Sequence, residues 1–180
     1  MLLKQFFLLL FSTCTLIDIS AQEPLPVESI MKSAYEQADK ENKKVFMIFH
    51  ASWCGWCRKM DSSLNDPSVK KFFDKNFVIK HITVYETKGK EHLENPGAQA
   101  FLAKFGGSDQ GLPFWYIFDT KENLLADSKM QYAGKDVLEN TGCPASTEEV
   151  TNFIKVLKRT TKLNDEELSL IEKRFRKNEQ

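Results

Sequence analysis

The residues best suited to chemistry are two cysteines in the run Trp-Cys-Gly-Trp-Cys at positions 53–57. The run directly follows the apolar stretch 45–49, so the pair falls where a strand gives way to a helix. A thiol at a helix N-terminus is favoured as thiolate by the positive end of the helix dipole. Because the thiolate is the attacking species in disulfide exchange, the pattern predicts dithiol–disulfide chemistry at Cys54 and Cys57.

Other uses of two closely spaced cysteines fit the sequence less well. A structural zinc site needs four ligands, and the further candidates follow no recognisable spacing. These candidates are Cys143, His50, His81 and His92. Covalent haem attachment requires a histidine directly after the second cysteine, where Arg58 stands. We therefore expect no metal and no cofactor, and a pair of buried, inert cysteines remains the structural alternative.

Composition limits the class of protein. A chain of 180 residues is long enough to bury a proper core, and its 14 phenylalanines supply bulky core material. Lys and Arg together number 25, as do Asp and Glu, so the formal net charge is zero. Without a basic field to attract a phosphate backbone, we expect no nucleic-acid partner.

The N-terminal segment 1–21 has the pattern of a signal peptide. Lys4 gives a small positive region, 6–19 is almost unbroken apolar sequence, and the small residues at 20–21 offer a cleavage point before Gln22. The apolar stretch is short for a membrane span, which needs about 20 residues. Export, periplasmic or secreted, is therefore expected, and it implies an oxidising compartment.

Cleavage would also change the cysteine inventory. Cys14 would leave with the segment, so the mature chain would keep Cys54, Cys57 and Cys143. A membrane association is expected only if the segment stays uncleaved and anchors the chain. A lipoprotein anchor through Cys14 is disfavoured because Thr13 stands where a smaller residue is usual.

Helical and strand patterns alternate along the rest of the chain. Strands that alternate with helices and end in a hairpin predict a mixed sheet in an α/β domain. We expect the main domain over 22–162 and a short C-terminal helix over 163–180, packed on the domain or trailing it. The predicted elements are helix 27–42, strand 45–49, helices 58–64 and 67–74, strand 77–85, helix 96–105, strands 114–118 and 124–126, and helix 147–160.

With these elements in place, the chain resembles the thioredoxin superfamily. The resemblance is strongest to an exported bacterial branch in which the cysteine run is followed by basic residues, here at 58–59. Leu112 and Pro113 fall where the family carries a cis-proline, and 142–145 is similar to a Gly-x-Pro-Ala turn of that branch. The resemblance covers about 27–175 and implies a thioredoxin-like fold, with a central mixed sheet flanked by helices.

The resemblance also implies residue roles. Cys54 would be the exposed attacking thiol and Cys57 the buried resolving thiol. Leu112 and Pro113 would form a substrate groove beside the sulfurs. Trp53 and Trp56 would form the apolar wall of this groove.

These roles describe an exported thiol–disulfide oxidoreductase, expected to act reductively on disulfide-containing protein substrates and to need an unidentified electron donor. Two alternatives stay open: an oxidant or isomerase, and a redox-sensitive binding module that holds a partner without turnover.

Two features depart from the simplest form of the family. Ile48 stands six residues before Cys54, where thioredoxin has a buried aspartate that moves protons from the resolving thiol. Proton transfer would need another route, through water, Lys80 or His81. The loop 127–146 should lie on the active-site side, so Cys143 could act as a third thiol; the alternative is a free cysteine used as a small hydrophobe.

Overall fold

A mixed sheet with helices on both faces organises the molecule. The computed structural model describes residues 23–179. Within them the helices are α1 (Val27–Glu41), α2 (Gly55–Leu64), α3 (Lys70–Asn76), α4 (Ala98–Lys104), α5 (Thr147–Thr160) and α6 (Asp165–Phe175), with 3-10 turns at Glu91–Leu93 and Arg176–Glu179. The strands are β1 (Lys44–His50), β2 (Phe77–Thr83), β3 (Phe114–Phe118), β4 (Leu124–Asp127), β5 (Lys129–Gln131) and β6 (Leu138–Asn140).

Strand β1 lies at the centre of the sheet, whose order is β2-β1-β3-β4. It runs parallel to β2 and antiparallel to β3, and β3 pairs with β4 as an antiparallel hairpin. In this register Ile48 is opposite His81 on one side and Trp115 on the other. The predicted α/β fold with a central mixed sheet is therefore confirmed.

Successive residues of β1 enter two separate cores, one on each face of the sheet. Phe46 and Ile48 join the core formed with α2, α3, α5 and α6. Met47 and Phe49 join the core formed with α1 and α4. A strand covered on both faces must be apolar at every inward position, which is why the run preceding the cysteines shows no alternation.

The C-terminal helix α6 is part of the first core. Phe175 is fully buried, and its ring lies 4.9 Å from that of Phe153 on α5 and 6.1 Å from that of Phe73 on α3. Aromatic pairs at such separations add to the free energy gained from burial itself. Leu168 and Ile171 of α6 belong to the same core, so this helix is packed on the main domain.

Several boundaries differ from the sequence prediction. Strand β2 ends at Thr83 rather than at 85, and Tyr85 adopts a left-handed backbone with φ of 57°. The predicted loop 127–146 contains the hairpin of β5 and β6. Its strands have three residues each, too few to show the alternation that marks a strand.

No helix between residues 23 and 179 is long and apolar enough to cross a membrane. The predicted signal peptide and Cys14 lie outside the described residues.

Candidate active site

The two cysteines of the motif form a disulfide at the start of α2. Their sulfurs are 2.00 Å apart and their Cα atoms 5.3 Å apart. Cys54 occupies the N-cap position, where its Sγ accepts a hydrogen bond of 3.1 Å from the backbone N–H of Cys57. The Cys54 backbone N–H in turn donates to the carbonyl of Ala51 at 3.0 Å. The strand-to-helix turn expected from the sequence therefore carries the pair.

Both sulfurs are covered. Cys54 is 2% exposed and Cys57 is 3% exposed, so the prediction of an exposed attacking Cys54 is wrong for the disulfide-bonded form. The reason is local packing: Ala51 and the half-buried Leu112 form a small apolar cluster with the two cysteines. Leu112 is therefore part of the apolar cover of the disulfide.

The Leu112–Pro113 peptide bond is cis and directly precedes β3. The hairpin of β5 and β6 supports this bend, because the Asn140 side-chain amide donates to the carbonyls of Gly111 (2.6 Å) and Pro113 (3.1 Å). Gly142 also packs here, in a left-handed conformation with φ of 58° that favours glycine. The loop 127–146 thus lies beside the active site, as expected.

The two tryptophans of the motif are among the most exposed large apolar side chains. Trp53 is 52% exposed, and its indole N–H donates to the Tyr85 carbonyl at 2.8 Å. Trp56 is 49% exposed and lies under the Lys59 ammonium, 4.7 Å from the ring centroid. Together with Leu112, Trp56 lines a cleft of about 200 Å³ next to the disulfide. Of the four expected groove residues, Trp56 and Leu112 line this cleft, whereas Trp53 and Pro113 are not among its lining residues.

Glu86, which the sequence did not single out, fixes the loop that precedes Cys54. Its carboxylate accepts the Ser52 backbone N–H (2.5 Å) and the Ser52 hydroxyl (2.7 Å). Burial disfavours the charged form of Glu86, but the hydrogen bonds from Ser52 outweigh it and lower the pKa of this carboxyl. Arg58 completes the loop by donating to the Ser52 carbonyl at 3.1 Å.

Of the two candidates for proton transfer, the structure brings only one to the α2 side of the sheet. Lys80 pairs in register with Met47 and therefore points to the α1 face, where its ammonium lies 3.4 Å from the Gln37 side-chain oxygen. His81 points to the opposite face, and its Nε2 lies 2.7 Å from a carboxylate oxygen of Asp61 on α2. Lys80 does not reach the cysteines, because neighbouring strand residues point to opposite faces.

His50 extends the Asp61–His81 contact along the sheet. Its ring centroid lies 5.3 Å from that of His81, and its Nε2 is 3.4 Å from the Thr83 hydroxyl. Burial and the neighbouring His81 lower the pKa of His50. Neither His50 nor Asp61 was predicted as a proton-transfer residue; the only signal was the position of Asp61 four residues after Cys57, one turn along α2.

Cys143 is a free thiol buried in the main core. It lines the cleft beside Trp56, but it is only 3% exposed, and burial raises the pKa of its thiol to about 12. The side-chain amide of Asn178 donates to its sulfur at 3.3 Å. The surroundings match those of a small hydrophobe, the alternative to a third reactive thiol.

Asn178 is a second residue that the sequence did not single out. It is buried, accepts the Ser63 hydroxyl of α2 at 2.9 Å, and donates to the Pro144 carbonyl at 3.1 Å. The Lys59 ammonium donates to its backbone carbonyl at 2.9 Å. The C-terminal turn therefore joins the helix that carries Cys57 to the loop that carries Cys143.

Comparison with known families gives one clear match. A family model described as thioredoxin-like matches residues 27–120, just over half of the 180-residue chain. No curated protein matches the chain. The matched segment contains the motif at 53–57, the cis bond and all of β1, β2 and β3.

Several solved structures are similar in shape. A disulphide isomerase from Xylella fastidiosa Temecula1 shares 18% identity over 62% of this chain and 79% of its own, with a TM-score of 0.48. The oxidised C-terminal domain of DsbD from Neisseria meningitidis shares 20% identity over 76% of this chain and 98% of its own, with a TM-score of 0.47. A thioredoxin from Thermus thermophilus shares 19% identity over 76% and 85%, with a TM-score of 0.41. None of these identities reaches 25%, so these structures support the similarity in fold alone. The family of the chain is given by the family model that matches residues 27–120.

Proposed function

We propose, since this chain belongs to the thioredoxin-like family, that Cys54 and Cys57 exchange disulfides with protein substrates. The observation that carries the proposal is the Cys54–Cys57 disulfide at the N-terminus of α2. A structural disulfide would cross-link distant segments, whereas this one closes a loop of only two intervening residues and constrains the unfolded chain little.

In the reductive direction, the reduced Cys54 thiolate attacks one sulfur of a substrate disulfide. The substrate S–S bond breaks, a mixed disulfide forms, and the first substrate thiolate leaves. Cys57, as thiolate, then attacks the Cys54 sulfur and releases the second substrate thiolate. The substrate gains two electrons and two protons, the protein pair becomes a disulfide, and an external donor must reduce it again.

The start of α2 supplies the attacking thiolate. The Cys57 N–H already points at the Cys54 sulfur, and the helix dipole favours a negative charge there by typically about 0.3–1 kcal/mol. The apolar cover from Ala51 and Leu112 acts in the other direction, since desolvation disfavours charge. The balance of these two effects sets how oxidising the pair is.

We assign proton transfer from the resolving thiol to Asp61 and His81. Cys57 and Asp61 are four residues apart on α2 and lie on the same side of the helix. Asp61 is hydrogen-bonded to His81, whose imidazole ring can both accept and donate a proton. This pair takes the place of an acid on β1, where Ile48 offers no proton acceptor.

Export and a reductive direction complete the proposal. The charge at Lys4, the apolar stretch 6–19 and the small residues at 20–21 support a cleaved signal peptide. The mass of the protein recovered from an exporting host tests this point, because it should equal that of a chain that begins at Gln22. A reduction potential near that of thioredoxin, roughly −270 mV, would fit a reductant, and one near the roughly −120 mV of DsbA would fit an oxidant.

Trapping with Cys57→Ser tests the exchange itself. This variant should accumulate mixed disulfides through Cys54, because the resolving step is blocked while the attacking thiol remains. The matched control, Cys54→Ser with Cys57→Ser, should trap nothing. Partner binding that persists in the double variant would instead support a binding module without turnover.

A further inference from the structure

We propose that Asn140 is a positioning residue for disulfide exchange, which holds Leu112 over the Cys54–Cys57 pair and so controls how readily thiols reach the sulfurs. This role rests on the proposed function, because access to the pair matters only if the pair exchanges disulfides. Asn140 is the last residue of β6, in the hairpin that the sequence pattern did not predict.

The cover of the disulfide has one part that comes from outside the motif. Cys54 and Cys57 are 2% and 3% exposed, so a thiol reaches them only in a locally opened state. Ala51, in the apolar cluster around them, belongs to the same strand-to-helix turn, because its carbonyl accepts the Cys54 N–H. Leu112 instead joins the cluster from the segment before β3. It is therefore the member of the cover that can move without disturbing this turn.

The Asn140 side chain holds the backbone on both sides of Leu112. Its Nδ2 group donates to the Gly111 carbonyl at 2.6 Å and to the Pro113 carbonyl at 3.1 Å. These two residues are the direct neighbours of Leu112 in the chain. Hydrogen bonds to both neighbours restrict the backbone at Leu112, and with it the place of its side chain.

The amide oxygen of Asn140 fixes the same side chain to the interior. It accepts the Ser128 hydroxyl at 2.6 Å and the Gly142 backbone N–H at 2.9 Å. Ser128 is fully buried, and its own backbone N–H donates to the Trp115 carbonyl of β3 at 3.0 Å. Because the Gly142 N–H only donates and the Gly111 carbonyl only accepts, a single orientation of the amide satisfies these contacts.

The chemistry of an amide is what this position requires. An asparagine side chain has two N–H donors and one oxygen with two lone pairs, and at Asn140 each of them has a partner. An aspartate would offer no N–H donor, and a serine or threonine would offer only one O–H. The amide therefore links the segment before β3 to the buried part of the fold in a way that these other polar side chains would not.

Loss of this amide is expected to increase the fraction of molecules in which Leu112 has moved off the sulfurs. Dithiothreitol reports that fraction, because a small thiol needs only access to the disulfide. Its thiolate attacks one sulfur of the Cys54–Cys57 bond and forms a mixed disulfide. Its second thiol then closes a cyclic disulfide and releases the protein pair as two thiols. The rate constant of this reduction therefore measures how often the cover opens.

The test follows reduction of the oxidised protein by excess dithiothreitol, with rapid alkylation and mass mapping of the motif peptide. Asn140→Ala should be reduced about tenfold faster than the native chain, equivalent to about 1.4 kcal/mol. This value lies within the net contribution of two hydrogen bonds. Leu112→Ala should be reduced at least as fast. The double variant should match Leu112→Ala, because Asn140 acts through Leu112 and the two effects should not add.

The matched control is Asn76→Ala. Asn76 is also half-buried, and its side-chain amide donates to the Phe72 carbonyl at 2.8 Å. It directly precedes β2, at the end of the sheet away from the cysteines, so its loss should leave the rate of reduction unchanged. If Asn140→Ala does not fold, Ser128→Ala replaces it, since this variant removes one hydrogen bond to the amide oxygen. It should accelerate reduction by about threefold, and not at all in the Leu112→Ala background.

An unchanged rate in Asn140→Ala would overturn the positioning role, and so would an acceleration that persists in the Leu112→Ala background. Failure of the proposed function has a different signature. A native chain whose disulfide is reduced by dithiothreitol, but which exchanges no disulfide with insulin, would overturn that function and leave the role of Asn140 in covering the pair intact.

Discussion

The cysteines between residues 23 and 179 are almost equally buried, but they lie in different electrostatic surroundings. Cys54 and Cys57 face each other across the first turn of a helix, and a backbone N–H points at the Cys54 sulfur. Cys143 lies in the main core, where its sulfur accepts a hydrogen bond from the uncharged amide of Asn178 and burial raises the pKa of its thiol to about 12.

The comparison separates burial from reactivity. Burial disfavours the thiolate at every one of these sites, so it cannot distinguish them. The sites differ in what stabilises a thiolate. At the motif, Cys54 lies at a helix N-terminus and next to a second sulfur. At Cys143, the sulfur accepts a hydrogen bond from an uncharged amide. A thiol in this protein is therefore expected to be reactive because of where the backbone places it.

The largest effect is expected from the motif cysteines. Cys54→Ser should reduce protein-disulfide exchange to the level of the buffer alone, since no attacking thiolate remains. Cys143→Ala should keep the rate within about a factor of two, as expected for a site outside the chemistry. Insulin reduction monitored by turbidity compares the two. Equal losses in both variants would erase the distinction between the sites.

The next effect concerns the resolving step. His81→Gln should slow release of the mixed disulfide by about a hundredfold, the lower range for general acid–base catalysis, and should flatten its pH dependence. Attack by Cys54 should keep its rate, because His81 acts only on Cys57. Lys80→Gln is the control on the opposite face of the sheet. Quenched-flow mass spectrometry separates the steps, and equal slowing in both variants would refute the assignment.

The third prediction addresses the link between α2 and Cys143. Asn178→Ala should lower the free energy of unfolding by about 1–3 kcal/mol, because it removes a buried hydrogen bond of the Ser63 hydroxyl and the buried hydrogen bond that Asn178 donates to the Pro144 carbonyl. Lys177→Ala, its exposed neighbour, should change that free energy by less than about 0.5 kcal/mol. Urea unfolding measures both. A similar small change in each would show that the buried contacts contribute little.

Replacement of Cys143 should give a smaller effect on stability. Cys143→Ala should cost roughly 1 kcal/mol, a typical value for a point substitution, and Cys143→Ser should cost more because it buries a hydroxyl. The reduction potential of the motif should stay the same in both. A change above about 30 mV, equivalent to about 1.4 kcal/mol, would show that the two sites are coupled.

The smallest effect is a pH dependence of stability that arises from His50. Burial lowers its folded-state pKa below the ordinary value of 6.5, so the unfolded chain binds the proton first as the pH falls. The free energy of unfolding should therefore decrease below about pH 6.5. His50→Asn should reduce this slope, while His92→Asn, at an exposed site, is the control. An unchanged slope in His50→Asn would contradict the lowered pKa of this half-buried histidine.

Local sequence was sufficient to predict the core of the site. The apolar strand, the spacing of the two cysteines and the proline before β3 are signals within a few residues of one another. They predicted the fold, the place of the disulfide-bonded Cys54–Cys57 pair at the start of α2, and the position of Leu112 beside it. The covering of Cys54 was missed because it depends on Leu112, which is remote in the sequence and reaches the sulfur only through the sheet.

The remaining differences depend on register and on tertiary contacts. Lys80 and His81 are adjacent, and only the pairing of His81 with Ile48 decides which of them faces α2. Glu86 and Asn178 are polar residues in charged segments, which look like solvated surface until the fold places Ser52 and Cys143 beside them. The spacing of apolar and polar residues along the sequence does not predict contacts between side chains that are far apart in the chain.

The most direct test of the central claim is the redox equilibrium of the purified chain in graded glutathione buffers, followed by alkylation and peptide mass mapping of every cysteine. We expect one Cys54–Cys57 disulfide that titrates as a two-electron couple, with Cys143 unmodified until the protein is denatured. A disulfide between Cys143 and either motif cysteine, or a motif pair that stays in one state across all buffers, would contradict it.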